Sequence, residues 1–159
     1  MRTRILTIVL LFTAAISQAQ QDAQFTQYMY NTININPAYA GSRGMLSIFG
    51  LHRTQWVGLD GAPVTNAFSM NTPINESRVG LGLSFINDRI GPTKENQISA
   101  DVSYTIPMAN EFKLSFGIKA TANLFQLDRS MLNPDVVIDP SLQNIDNEFS
   151  PNIGAGVYL

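Results

Sequence analysis

Alternation of apolar and polar residues dominates the chain beyond its first quarter. This is the period of strands whose two faces meet different surroundings. It is clearest from Gln97 to Ile106, where Ile98, Ala100, Val102, Tyr104 and Ile106 share one face and Gln97, Ser99, Asp101, Ser103 and Thr105 the other. Val79, Leu81, Leu83 and Phe85 oppose Gly80, Gly82 and Ser84 in the same way. Leu114, Phe116, Ile118, Ala120, Ala122 and Leu124 oppose Ser115, Gly117, Lys119, Thr121 and Asn123. A sixth pattern begins near Pro151, with Ile153, Ala155, Val157 and Leu159 opposite Asn152, Gly154, Gly156 and Tyr158. Met45–Trp56 and Val64–Thr72 alternate less strictly and read as two further strands. Before them, the stretch from Gln21 to Gly41 is irregular and rich in Asn, Gln and aromatic residues.

The links between these patterns differ in length. Residues 57–63 and 73–77 are short to moderate, 87–96 is longer and 107–112 is tight, while 127–148 runs for 22 residues without a strand pattern. Compact soluble domains rarely keep structureless links that long. Outer-membrane barrels do, with long extracellular loops and short periplasmic turns, and the tight links around Asn75 and Ala109 flank a longer one as that topology requires. The two faces support the same reading. On the three best strands the polar face holds thirteen residues, of which only Asp101 and Lys119 are charged. A wet soluble sheet carries more Lys and Glu to guard against aggregation. The opposite face has no charge, as expected where a basic residue at mid-bilayer costs about 2–4 kcal/mol.

Trp56, Phe85, Tyr104, Phe112, Phe149 and Tyr158 fall near predicted strand ends, where aromatic girdles form. The expected fold is therefore all-β: an antiparallel transmembrane β-barrel of the outer membrane. Six strands are fewer than the roughly eight that close one, so the barrel is expected to be incomplete. Asp101 and Lys119 lie equally far from residue 110, so a hairpin centred there sets them opposite one another. We read them as a structural ion pair that neutralises two lumen charges rather than as a transport site.

The first twenty residues carry a different signal. Arg2 and Arg4 precede a mostly apolar run from Ile5 to Ile16, and Ser17 and Ala19 supply the small residues of a cleavage site. That is the layout of a secretory signal peptide. The expected organisation is a signal peptide over 1–19, a lead-in segment over 20–43 and the N-terminal part of an outer-membrane barrel over 44–159. Removing Arg2 and Arg4 changes the formal balance from 10 basic against 12 acidic residues to 8 against 12. This charge excludes a generally basic nucleic-acid binder. Charged residues make up 14% of the chain, against roughly 25% in soluble domains.

Little catalytic chemistry is available. The chain has no cysteine, which removes disulfides, thiolate metal sites and cysteine nucleophiles. His52 is the single histidine and lies in a predicted strand, where it reads as structural. No nucleophile-elbow, P-loop or dinucleotide fingerprint occurs, and Gly80-Leu81-Gly82 reads as close packing rather than phosphate binding. Asp128, Asp135, Asp139, Asp146 and Glu148 gather around the long link with Arg129, and we read them as a solvated acidic loop rather than a calcium site. No catalytic, cofactor-binding or metal-ligating residue is assigned, no cofactor is expected, and the chain does not read as an enzyme.

QFTQYMYN at 24–31, NPAYAGSRG at 36–44, RTQWVGLDGAP at 53–63, VGLGLSFINDRIGP at 79–92 and DVSYTIP at 101–107 resemble the PorP/SprF family. These are outer-membrane proteins of the type IX secretion and gliding motility machinery of Bacteroidota. The resemblance spans roughly Gln21 to Leu124. It implies a barrel that helps export or anchor cell-surface proteins such as gliding adhesins, in contact with periplasmic type IX secretion components and outer-membrane lipid. It brings no catalytic residues. Family members look about twice as long, which also makes this chain an N-terminal part, a truncated gene product or half of such a barrel.

Three other functions stand behind this one. A passive outer-membrane channel or porin for small or hydrophobic molecules comes next, then a soluble secreted β-sandwich, then a periplasmic enzyme. For the block QFTQYMYNTININPAYAG three roles stay open: plugging the lumen, meeting a periplasmic partner, or simply leading into the first strand.

Overall fold

A computed structural model describes residues 28–74, 78–108, 112–128 and 148–159. Six strands follow one another: β1 Ser47–Thr54, β2 Val64–Pro73, β3 Val79–Ile90, β4 Thr93–Pro107, β5 Lys113–Leu127 and β6 Glu148–Tyr158. Each pairs antiparallel with its neighbours in sequence, giving one sheet of order β1-β2-β3-β4-β5-β6. The sheet does not close, since among the described residues β1 and β6 are each paired on one side only. This is the expected all-β, incomplete-barrel arrangement. No helix among the described residues is long and apolar enough to cross a membrane.

Ahead of β1, a 3-10 turn Tyr28–Tyr30, a four-residue helix α1 Thr32–Ile35 and a second 3-10 turn Pro37–Tyr39 cover one face of the sheet. We call that the inner face. Burial across the sheet is the reverse of a soluble core. Ser69, Ser84, Ser99, Asp101, Ser103 and Ser115 are buried on the inner face, whereas Leu83, Phe85, Ile98, Val102 and Ile118 are exposed on the outer one. Ile118 is 62% exposed while Asp101 on the neighbouring strand is 1% exposed. Water would not sustain that arrangement over a whole sheet; hydrocarbon outside and a filled interior would.

Two expectations about the links are corrected. Residues 87–96 are not a loop: β3 continues to Ile90, β4 starts at Thr93, and only Gly91 and Pro92 join them. Gly91 has φ +55°, as primed two-residue hairpin turns require. The polar residues Asn87 to Asn96 read as loop because the apolar stripe stops there, although the backbone pairing does not. The tightest link therefore lies at the same end of the sheet as the long ones at 55–63 and 128–147. The three lean on one another, with Gly91 N–H donating to Gly61 O at 2.9 Å and Asp128 N–H to Pro92 O at 2.7 Å.

The girdle assignment is corrected in part. Trp56, Tyr104, Phe112 and Phe149 are exposed near strand ends. Phe85 sits mid-strand, because β3 is longer than its apolar stripe, and Tyr158 turns inward to pack edge-on against Tyr39 at 5.2 Å. The signal peptide and most of the acidic link, including Arg129, Asp135, Asp139 and Asp146, lie outside the described residues.

Candidate functional site

The inner face presents two rows of small residues that only the register brings together. Gly80, Ser103, Gly117 and Gly156 stand side by side across β3 to β6. Gly82, Asp101, Lys119 and Gly154 form the next row. Absent side chains leave a track running perpendicular to the strands, and the lead-in backbone lies along it. A Cβ on Gly80 would collide with the carbonyl of Ala40, one on Gly117 with the backbone of Pro37 and Ala38, and one on Gly156 with the side-chain amide of Asn36. Ile33 occupies the space above Gly82 in the same way. Going from residue 40 back to 36, the chain crosses from β3 to β6.

Polar contacts fix the segment on this track. Ser103 Oγ donates to Ala40 O at 2.6 Å, Ser69 Oγ to Asn31 Oδ1 at 2.6 Å, and Asn36 Nδ2 to Val157 O at 2.9 Å. Asn71 Oδ1 accepts from Gly41 N–H at 3.3 Å. Asn36 also caps the second 3-10 turn, its Oδ1 accepting from Ala38 N–H at 3.0 Å. Ile33, Ala38 and Ala40 are buried by these contacts. The side chains that look like loop chemistry in the sequence serve as inner-face anchors.

Lys119 joins the sheet to the segment. The register pairs it with Asp101, and Nζ lies 3.5 Å from Asp101 Oδ1. It also donates to Ile33 O at 3.0 Å and Asn34 O at 2.6 Å, two consecutive carbonyls within the single turn of α1. The ion pair expected from the sequence is present, and the ammonium also satisfies helix-end carbonyls that would otherwise lack donors. Nothing local to Lys119 in the chain signals that second task. His52 lies on the outer face, with Nδ1 donating to Asn66 Oδ1 at 2.6 Å and Nε2 accepting from Thr54 Oγ1 at 3.1 Å. Among the described residues no hydrogen bond joins it to the lead-in.

At the end of the sheet that carries the 74–78 and 108–112 links, the inner face keeps a cavity of about 640 Å³ whose lining includes Gly41, Arg78, Thr105, Lys113 and Tyr158. Among the described residues no group of three His, Asp or Glu side chains is placed to hold a metal ion. The arrangement is one of occupancy: a peptide segment is held in the interior of an apolar-coated sheet by backbone fit and a few hydrogen bonds.

Comparison with known families decides the assignment. The family model described as "Type IX secretion system membrane protein PorP/SprF" matches residues 17–159. The chain belongs to the PorP/SprF family. No curated protein and no solved structure gives a significant match. As a PorP/SprF protein, it is a membrane component of type IX secretion, and its inside-out sheet suits that setting. The family is one of secretion-system membrane proteins rather than a known enzyme family.

Proposed function

We propose that this protein is a non-enzymatic outer-membrane component that helps export or anchor cell-surface proteins such as gliding adhesins. In this reading a signal peptide is removed after Ala19 and the sheet faces outer-membrane lipid. Cargo proteins and periplasmic type IX secretion components are its partners. The observation that carries the choice over a passive channel is the occupied inner face. The segment from Asn31 to Gly41 is anchored to β2, β3, β4, β5 and β6, which suits a scaffold or docking element better than an open conduit.

Deleting the gene is expected to abolish surface display of at least one adhesin while general outer-membrane assembly continues. Normal display and normal gliding would refute the role. Liposome swelling separates the alternative, since the full-length protein is expected to give no swelling with small sugars and a porin would give rapid swelling. The address is tested separately. Fractionation should place the protein in the outer membrane, and mass mapping should find Gln20 as its first residue; an intact Met1 would overturn the cleavage.

A further inference from the structure

The β3–β4 hairpin sorts its charges by face. Its tip carries Asp88, Arg89, Lys94 and Glu95, and the register sets Asp88 opposite Glu95 and Arg89 opposite Lys94. Acid faces acid and base faces base across the same two strands. Like charges directly opposite one another destabilise a ladder, and a one-residue slip would replace both with a single attractive pair, Asp88 opposite Lys94 or Arg89 opposite Glu95. The two acids lie on the inner face with partners of their own. Thr65 Oγ1 donates to Asp88 at 2.6 Å, and Asn123 Nδ2 donates to Glu95. The two bases lie on the outer face, exposed, and among the described residues neither has a carboxylate within 4.0 Å.

Their position on that face identifies what they meet. One row below them, toward the apolar band, runs a directional ladder of side-chain hydrogen bonds. His52 donates to Asn66, Asn66 Nδ2 to Asn87 at 3.3 Å, and Asn87 Nδ2 to Asn96 at 2.8 Å. Below the ladder the outer face turns apolar at Phe68, Phe85 and Ile98. Exposed Trp56 and Phe149 stand at the same end, beside the rim where aromatic residues meet headgroups. Bases, then hydrogen-bonded amides, then hydrocarbon-facing side chains follow the polarity of a leaflet from phosphate to acyl chain.

We propose that Arg89 and Lys94 form a binding site for the phosphate of anionic lipid headgroups, in the leaflet at the long-link end of the sheet. The site rests on the outer-membrane reading above. One phosphate between the two cations relieves the cross-strand repulsion that the register imposes, and the guanidinium supplies a two-pronged donor to its oxygens.

The test uses full-length protein reconstituted in phosphatidylcholine vesicles with and without phosphatidylglycerol, followed by extraction and quantitation of the lipid that stays bound. Wild type is expected to enrich phosphatidylglycerol about twenty-fivefold over the R89Q/K94Q variant, roughly a factor of five for each charge. The charge-conserving R89K/K94R variant is expected to retain the enrichment. Equal enrichment by wild type and R89Q/K94Q, or its loss in R89K/K94R, overturns the site. Flotation with pure phosphatidylcholine vesicles separates the two levels. A wild-type protein that fails to insert there refutes the membrane reading itself, whereas insertion without selectivity refutes only the headgroup site.

Discussion

Replacing Lys119 by methionine is expected to destabilise the folded protein by about 3–5 kcal/mol, the range for removing one partner of a buried ion pair. The side chain of Asp101 is wholly enclosed and that of Lys119 nearly so, so water cannot take the place of the missing cation. Met keeps much of the stem's volume, which makes the effect one of charge and hydrogen bonding rather than of a cavity. Two losses add. Asp101 is left as a buried carboxylate without its counter-charge, and the carbonyls of Ile33 and Asn34 lose their donor.

The double variant Asp101→Asn, Lys119→Met separates these losses. It removes the stranded charge but restores nothing to the carbonyls, so a deficit of about 1–3 kcal/mol is expected to remain. Denaturant unfolding of protein refolded in detergent micelles measures all three forms. A Lys119→Met protein that unfolded like wild type yet no longer supported adhesin display would overturn the structural role and point to transport instead.

Gly117→Ala is expected to cost about 1–3 kcal/mol, as overpacking does where neighbours cannot move. The added methyl would meet the backbone of Pro37 and Ala38, not the free end of a side chain, so the lead-in has to shift or leave its track. Gly154→Ala, on the adjacent strand, is the matched control. Its Cβ would stand 3.8 Å from Lys119 Cβ, an ordinary contact, and the change is expected to stay within about 0.5 kcal/mol of wild type. Proteolysis gives a second readout that a uniform loss of stability would not mimic. Ile33 is 1% exposed in the seated segment, and thermolysin is expected to cut there in Gly117→Ala well before the strands are degraded. Equal stability and equal cleavage for the two alanine variants would refute the glycine track.

Much of the fold was legible because alternation at period two is a local property. The inner and outer assignments of Val79 to Phe85, Gln97 to Ile106 and Leu114 to Leu124 all match the structure. The Asp101–Lys119 pairing was legible too, since a hairpin centred on residue 110 fixes every pair in β4 and β5. The extent of β3 was not. Asn87 to Asn96 contains no apolar stripe, and a strand that continues past the hydrocarbon into headgroups or water stops advertising itself by hydrophobicity. The site was the least legible part. Gly80, Gly117 and Gly156 lie tens of residues apart in the chain, and nothing local shows that they align.

By itself, then, the sequence determined the strand period, which face of each strand is apolar and the family to which the chain belongs. These depend on the order of residue types within each short stretch. Only the tertiary structure decided that the Asn-rich lead-in lies across a glycine track, that Lys119 ties it to Asp101, and that Arg89 and Lys94 face outward together. The first two depend on the register between strands and on a segment crossing them at right angles, the third on the register of β3 and β4 alone. Those relations are set by the summed fit of many pairs, and no single stretch of the chain encodes them.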